Sequence, residues 1–209
     1  MKRSFILIPL LGIVLFILLY VKSTLLYPGG SNVSQTTRGF DWLHNYWCEL
    51  TGTVAKNGEK NAARPVALSA MIILCLSLVV FWNQAPVLIP NAILGSIVRY
   101  SGMLSMLIAV FLFTDFHDLV INCAGTFGII ALGLTYIGLY QNRLHALFGY
   151  GLICLVLILV NYFIYQTGIC KPYLPVVQKI TFLLFLLWVA IINIYLFKKS
   201  PSPERSRRM

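Results

Sequence analysis

Six apolar runs constrain this chain more than any other feature. They cover residues 5–21, 65–82, 92–113, 118–139, 146–166 and 176–197. Each is near the roughly 20 residues that a helix needs to cross the hydrocarbon core of a bilayer. A water-facing helix of that length would carry a polar stripe, and these runs carry little of one. Inside a bilayer the backbone must satisfy its own hydrogen bonds, so such runs are helical. The sequence therefore predicts an all-α integral membrane bundle of six transmembrane helices. Composition agrees: 59% of the residues are hydrophobic and 11% are charged, against about 25% charged in soluble chains. Residues 1–199 form one domain, and residues 200–209 read as a basic, disordered tail.

The punctuation between the runs fits. Pro65 suits a first helical turn, where its missing N–H costs nothing. Pro86 and Pro90 separate the second and third runs, and Pro172 and Pro175 precede the sixth. The first run follows a basic start, but it is long for a signal peptide and no small-residue cleavage site follows, so it reads as an uncleaved helix. Six crossings put both ends on one side. Lys2, Arg3, Lys198, Lys199, Arg205, Arg207 and Arg208 crowd those ends, and with Arg143 they place both termini in the cytoplasm. The net charge of +10 is thus a topology signal at the ends of apolar spans, and it points to no nucleic acid.

The segment 22–64 is the one long polar stretch between the runs, and it faces outward in this topology. Within it, residues 39–50 read GFDWLHNYWCEL. Leu43, Tyr46, Trp47 and Leu50 share a helical face at i, i+3, i+4, i+7 spacing. Trp42 flanks them, and tryptophan and tyrosine favour the bilayer interface. The pattern predicts a short interfacial helix. Asp41, His44, Asn45 and Cys48 share the opposite face, with Glu49 at its margin. That face is either solvated or turned toward the helix ends below. His, Cys and Asp are possible zinc ligands, but they lack the paired spacing of a zinc motif. A haem would have only His44 and His117 as an axial pair. No metal or cofactor is assigned.

Polar groups inside apolar spans are costly and often functional. In the predicted topology His117, Asp118 and Asn122 open the fourth span on the outer side. Asn161 ends the fifth there, and Gln178 and Lys179 begin the sixth. These groups converge beneath residues 39–50. His44, His117 and Asp118 are candidate acid–base residues, since histidine titrates near neutral pH. Asp41, Asn45, Cys48, Glu49, Asn122 and Asn161 are candidate binding groups. The plainer reading is interhelical hydrogen bonding. Arg99, sharing a face with Gly95 and Gly102, lies toward the inner end of the third span. It either extends to the interface or meets an anionic headgroup. Cys48 and Cys170, both predicted outside, could pair in an oxidising compartment.

The run Tyr27-Pro28-Gly29-Gly30-Ser31, the segment Trp42-Leu43-His44-Asn45-Tyr46-Trp47-Cys48, six spans and His117-Asp118 opening the fourth together resemble a family of uncharacterised bacterial multi-pass membrane proteins. The resemblance covers nearly the whole chain. It implies a six-helix bundle in the bacterial cytoplasmic membrane, and it implies no reaction.

Three functions fit these residues. The first is a polar site at the outer end of the bundle that binds or modifies membrane lipids or their headgroups. The second is a non-catalytic membrane protein whose outer loop docks a protein partner. The third, a small transporter, fits least, because transporters place polar groups near the midplane.

Overall fold

Six long helices carry most of the chain in the computed structural model, which describes residues 3–114 and 116–200. They are α1 (Ile8–Leu26), α2 (Arg64–Gln84), α3 (Ala92–Ala109), α4 (His117–Gln141), α5 (His145–Thr167) and α6 (Leu174–Lys199). All six are long and apolar enough to cross a membrane. No strand appears among the described residues, only two isolated bridges. The tail 201–209 lies outside the described residues.

Local chemistry sets the ends. α1 runs past residue 21 because Ser23 and Thr24 turn their hydroxyls onto the carbonyls of Tyr20 and Val21, so neither needs water. Asn91 caps α3 by accepting from the N–H groups of Ile93 and Leu94, the usual service of an N-cap side chain. α3 stops at Ala109, four residues before the apolar run ends, and residues 110–114 turn instead. Gly168 ends α5 in the left-handed conformation with φ 71°, which glycine adopts without steric cost.

α1 packs on α2, α2 on α3 and α3 on α4; α6 packs on both α5 and α1. Small residues permit close approach. A Cβ at Gly12 of α1 would overlap Ser77 of α2, and one at Gly102 of α3 would overlap the Trp82 ring of α2. The core holds Phe16, Phe81, Trp82, Leu139, Trp188 and Ile192. Its buried polar handles are satisfied: Trp188 Nε1 donates to the Leu147 carbonyl at 2.8 Å, and the Tyr136 hydroxyl donates to the Gly151 carbonyl at 3.0 Å. On the outside, Ile129, Ile137, Ile153, Val156, Leu159 and Phe163 are exposed, an apolar belt that water would not favour.

Residues 27–63 fold back over the ends of α1, α2 and α6 as a cap. Residues 39–50 do not form the single helix that their apolar spacing predicts. A turn covers 42–44, and a 3-10 turn runs over Trp47–Thr51. Asp41 Oδ1 accepts from the N–H groups of Leu43 (2.9 Å) and His44 (3.2 Å), and the Asn45 N–H reaches the Asp41 carbonyl at 2.8 Å, as at the start of a helix. The turn goes no further, because Tyr46 is extended with ψ 153° and the Asn45 carbonyl accepts from Lys179. Gly29 and Gly30 hold φ values of 147° and 81°. A Cβ on either would run into the backbone of residues 37 or 57.

Candidate functional site

The polar side chains of residues 39–50 build the cap's own interior. Asn45 is fully buried. Its Oδ1 accepts from the Asp41 N–H at 2.8 Å, and its amide donates to the Gly30 carbonyl at 3.0 Å and to Glu49 Oε2. The other Glu49 oxygen accepts from Asn32 Nδ2 at 2.8 Å and lies 3.5 Å from Lys56 Nζ. Asn61 Oδ1 accepts from the Ala63 N–H, and the Asn61 amide serves the carbonyls of Glu49, Leu50 and Gly52. His44 Nδ1 meets Asp41 Oδ2 at 2.8 Å. Burial alone would raise the Asp41 pKa. The hydrogen bonds from the His44 ring and from the Leu43 and His44 N–H groups outweigh it, so the carboxyl sits below its ordinary value.

Lys179 joins this cap to the bundle. It is buried, 6% exposed, and its ammonium donates to the carbonyls of Asn45 (2.6 Å) and Pro175 (2.8 Å). The Phe40 ring centroid lies 5.9 Å away, within cation–π range.

The other predicted site residues are dispersed. His117 and Asp118 stand in the first turn of α4, and their side chains lie outside the described residues. Asn122 is exposed. Asn161 donates to Thr181 Oγ1 of α6 at 2.6 Å, an interhelical bond of the kind that joins membrane helices. Arg99 is half-buried, and its Nε has no partner. Cys48 and Cys170 are both free thiols. Among the described residues no three His, Cys, Asp or Glu side chains cluster as metal ligands.

What residue patterns did not reveal is a cavity of about 210 Å³ beneath the roof Trp47–Thr51. Its walls come from α1 (Phe16, Tyr20), α2 (Leu68, Met71), the end of α3 (Ala109, Val110), α4 (Ile121) and α6 (Gln178, Phe182). The roof rests on α2 through the Arg64 Nε bond to the Thr51 carbonyl at 3.1 Å. Of the lining residues Phe113, Ile121, Gln178 and Cys48 are exposed, so the opening is bordered by the α3–α4 connection, the starts of α4 and α6, and the roof. Among the described residues no charged side chain lines the cavity. Its polar groups are few. Trp47 Nε1 is buried without a partner, which is uncommon for an indole N–H. The surrounding protein desolvates the Cys48 thiol, and with Glu49 beside it the pKa is pushed above the ordinary value.

Helix register orders the cavity by depth. Tyr20 stands one turn nearer the cap than Phe16, and Gln178 one turn nearer than Phe182. Polar groups thus sit at the top and rings at the bottom.

No family model, no curated protein and no solved structure matches this chain, so what it does is argued from the cavity and its cap alone.

Proposed function

We propose that this is a multi-pass protein of the bacterial cytoplasmic membrane, with both termini inside, that binds the chain of a membrane lipid at its outer end. The observation that carries this reading is the apolar cavity roofed by Trp47–Thr51. The six apolar helices, the basic termini and the exposed apolar belt support the membrane setting. The opening, at the level of the first turns of α4 and α6, would then face the outer leaflet. Ligand sites are mostly apolar clefts with a few placed polar groups, usually of about 300–1,000 Å³. At about 210 Å³ this cavity suits part of one lipid chain and leaves the rest in the bilayer.

The reading is one of binding, without covalent chemistry. The thiolate is the reactive form of cysteine, and Cys48 is held toward the thiol. The Asp41–His44 pair closes a turn. The experiment fills the cavity. Ala109→Trp sets a ring on the wall that Met71 and Phe182 also line. Wild-type protein extracted in polymer-bounded native membrane discs and stripped of bulk lipid should keep a bound lipid by native mass spectrometry. The variant should lose it while its α-helical circular dichroism stays at the wild-type level. Equal retention by both proteins would rule the cavity out as the site.

A second reading has its own observation. Trp42 and Leu43 are exposed on the cap, at 47% and 61%. They form either an interfacial anchor or a surface on which a partner protein docks.

A further inference from the structure

The reading of the cavity as a lipid-chain site leaves open which part of the lipid it recognises, and the following rests on that reading. Two hydrogen-bond donors in its wall lack partners among the described residues. Tyr20 is 4% exposed, and its hydroxyl makes no hydrogen bond there. Trp47 Nε1 is buried and unpaired. The two rings pack edge to face, with centroids 5.4 Å apart, so the donors belong to one aromatic corner of the cavity. The buried indole N–H without an acceptor is unfavourable and a ligand oxygen would relieve it, with the Tyr20 hydroxyl beside it as a second donor.

The kind of oxygen follows from the surroundings. Among the described residues no lysine or arginine lines the wall. A phosphate or carboxylate buried there would lack a counter-charge, which is strongly unfavourable. Two cations lie close by without lining the wall, Lys179 held by the carbonyls of Asn45 and Pro175 and Arg64 with its Nε on the Thr51 carbonyl. The indole N–H can only donate, and the phenol can donate. An uncharged acceptor therefore fits. Below this corner lie Phe16, Met71 and Phe182, which offer only apolar surface. A neutral acceptor directly above a hydrocarbon chain is the order of groups in an acyl ester.

We infer that the cavity holds one ester-linked acyl chain of an outer-leaflet glycerolipid, its carbonyl oxygen accepting from Tyr20 and Trp47 and its headgroup left outside the mouth.

The test compares lipids that differ only at that carbonyl. The full-length protein is reconstituted with di-ester phosphatidylethanolamine or with its di-ether analogue of equal chain length, and retained lipid is measured by native mass spectrometry. The di-ester form should be retained at least about three- to tenfold more, the size of one of its two hydrogen bonds. Tyr20→Phe, which keeps the ring, should shrink that ratio toward one. Di-ester phosphatidylglycerol should be retained as well as the ethanolamine lipid. Equal retention of ester and ether lipids by the wild type would overturn the inference while leaving the chain site standing. A strong preference for the anionic glycerol headgroup would overturn it in favour of a charge site. Retention of neither lipid by the wild type would overturn both this inference and the reading on which it rests. The wild-type ratio decides the matter even if Tyr20→Phe folds poorly.

Discussion

The ammonium of Lys179 in α6 donates at 2.6 Å to the backbone carbonyl of Asn45 in the cap, a residue 134 positions earlier in the chain. Because the acceptor is a main-chain oxygen, the bond fixes the path of the cap and is indifferent to which side chain stands at 45. Lys179→Met keeps the length of the side chain and removes the donor. It should cost about 2–3 kcal/mol, the range of hydrogen bonds from a charged group. The cap should loosen before the bundle does, read as faster tryptic cleavage at Arg38, Lys56 and Lys60 in detergent with α-helical circular dichroism unchanged.

Asn45 gives a sharper contrast. It is fully buried, with its amide on Gly30 and Glu49 and its oxygen on Asp41. Asn45→Ala should destabilise by about 2–3 kcal/mol, because Glu49 and the Asp41 N–H lose a partner inside the cap. Asn45→Asp should be worse, since it sets a second carboxylate against Glu49. Melting temperatures should fall in the order wild type, Ala, Asp.

Acid should act on the cap through Asp41. Its carboxyl pKa is lowered in the folded protein, so this group's contribution to stability is complete above the unfolded value of about 3.9. The contribution fades as pH falls through the lower, folded value. Asp41→Asn should remove that part of the acid sensitivity and lower stability at neutral pH. Unfolding midpoints measured from pH 7 down to pH 3 should therefore converge for the two proteins. Midpoints that stayed parallel would show that Asp41 carries no linkage.

Two glycines in neighbouring helices should respond in opposite directions. Gly102 lies against the Trp82 ring with no room for a Cβ, whereas nothing stands within 4 Å of the Cβ position at Gly125. Gly102→Ala should destabilise by about 1–3 kcal/mol through overpacking. Gly125→Ala should be neutral or stabilise by up to about 1 kcal/mol through helix propensity. Thermal unfolding of the two variants side by side checks both signs.

The free thiols report orientation and cavity together. Cys170, in the connection between α5 and α6, is exposed and sits at the same end of the bundle as the cap. A membrane-impermeant maleimide added to intact cells should label it if that end faces outward. Cys48 should label slowly at neutral pH, because only thiolate reacts and its pKa lies above the ordinary 9.0. Its rate should climb with pH and drop when lipid occupies the cavity.

The six helices are legible in the sequence because a helix long enough to cross a bilayer needs apolar length, and length is countable. The apolar spacing Leu43 through Leu50 predicts a helix over residues 39–50, and Asp41 does cap a first turn, but the backbone extends at Tyr46, ψ 153°, before a second turn forms. Leu43 in consequence stays exposed while Leu50 is fully buried. Asp41, His44, Asn45 and Glu49 do come together, as the lining of a cap. The topology places Lys179 beneath residues 39–50, but its partner has no residue signature, since the acceptor is the main-chain carbonyl of Asn45. The cavity has none either, because a void is made by residues from five helices and has no spacing of its own.

The placement of Lys179 also has a consequence in time. The cap is complete in sequence by residue 63, and its internal bonds all join residues within that segment or at its edges. One of its anchors, Arg64, opens α2, whereas the other, Lys179, lies on the last helix. During synthesis the cap can fold early, but the Asn45 carbonyl stays without its cation until α6 has been made and has packed beside α1. A chain truncated before Lys179 would thus carry a cap held to α2 by the Arg64 bond but lacking its bond to α6, and the finished tether reports that α6 has packed beneath the cap.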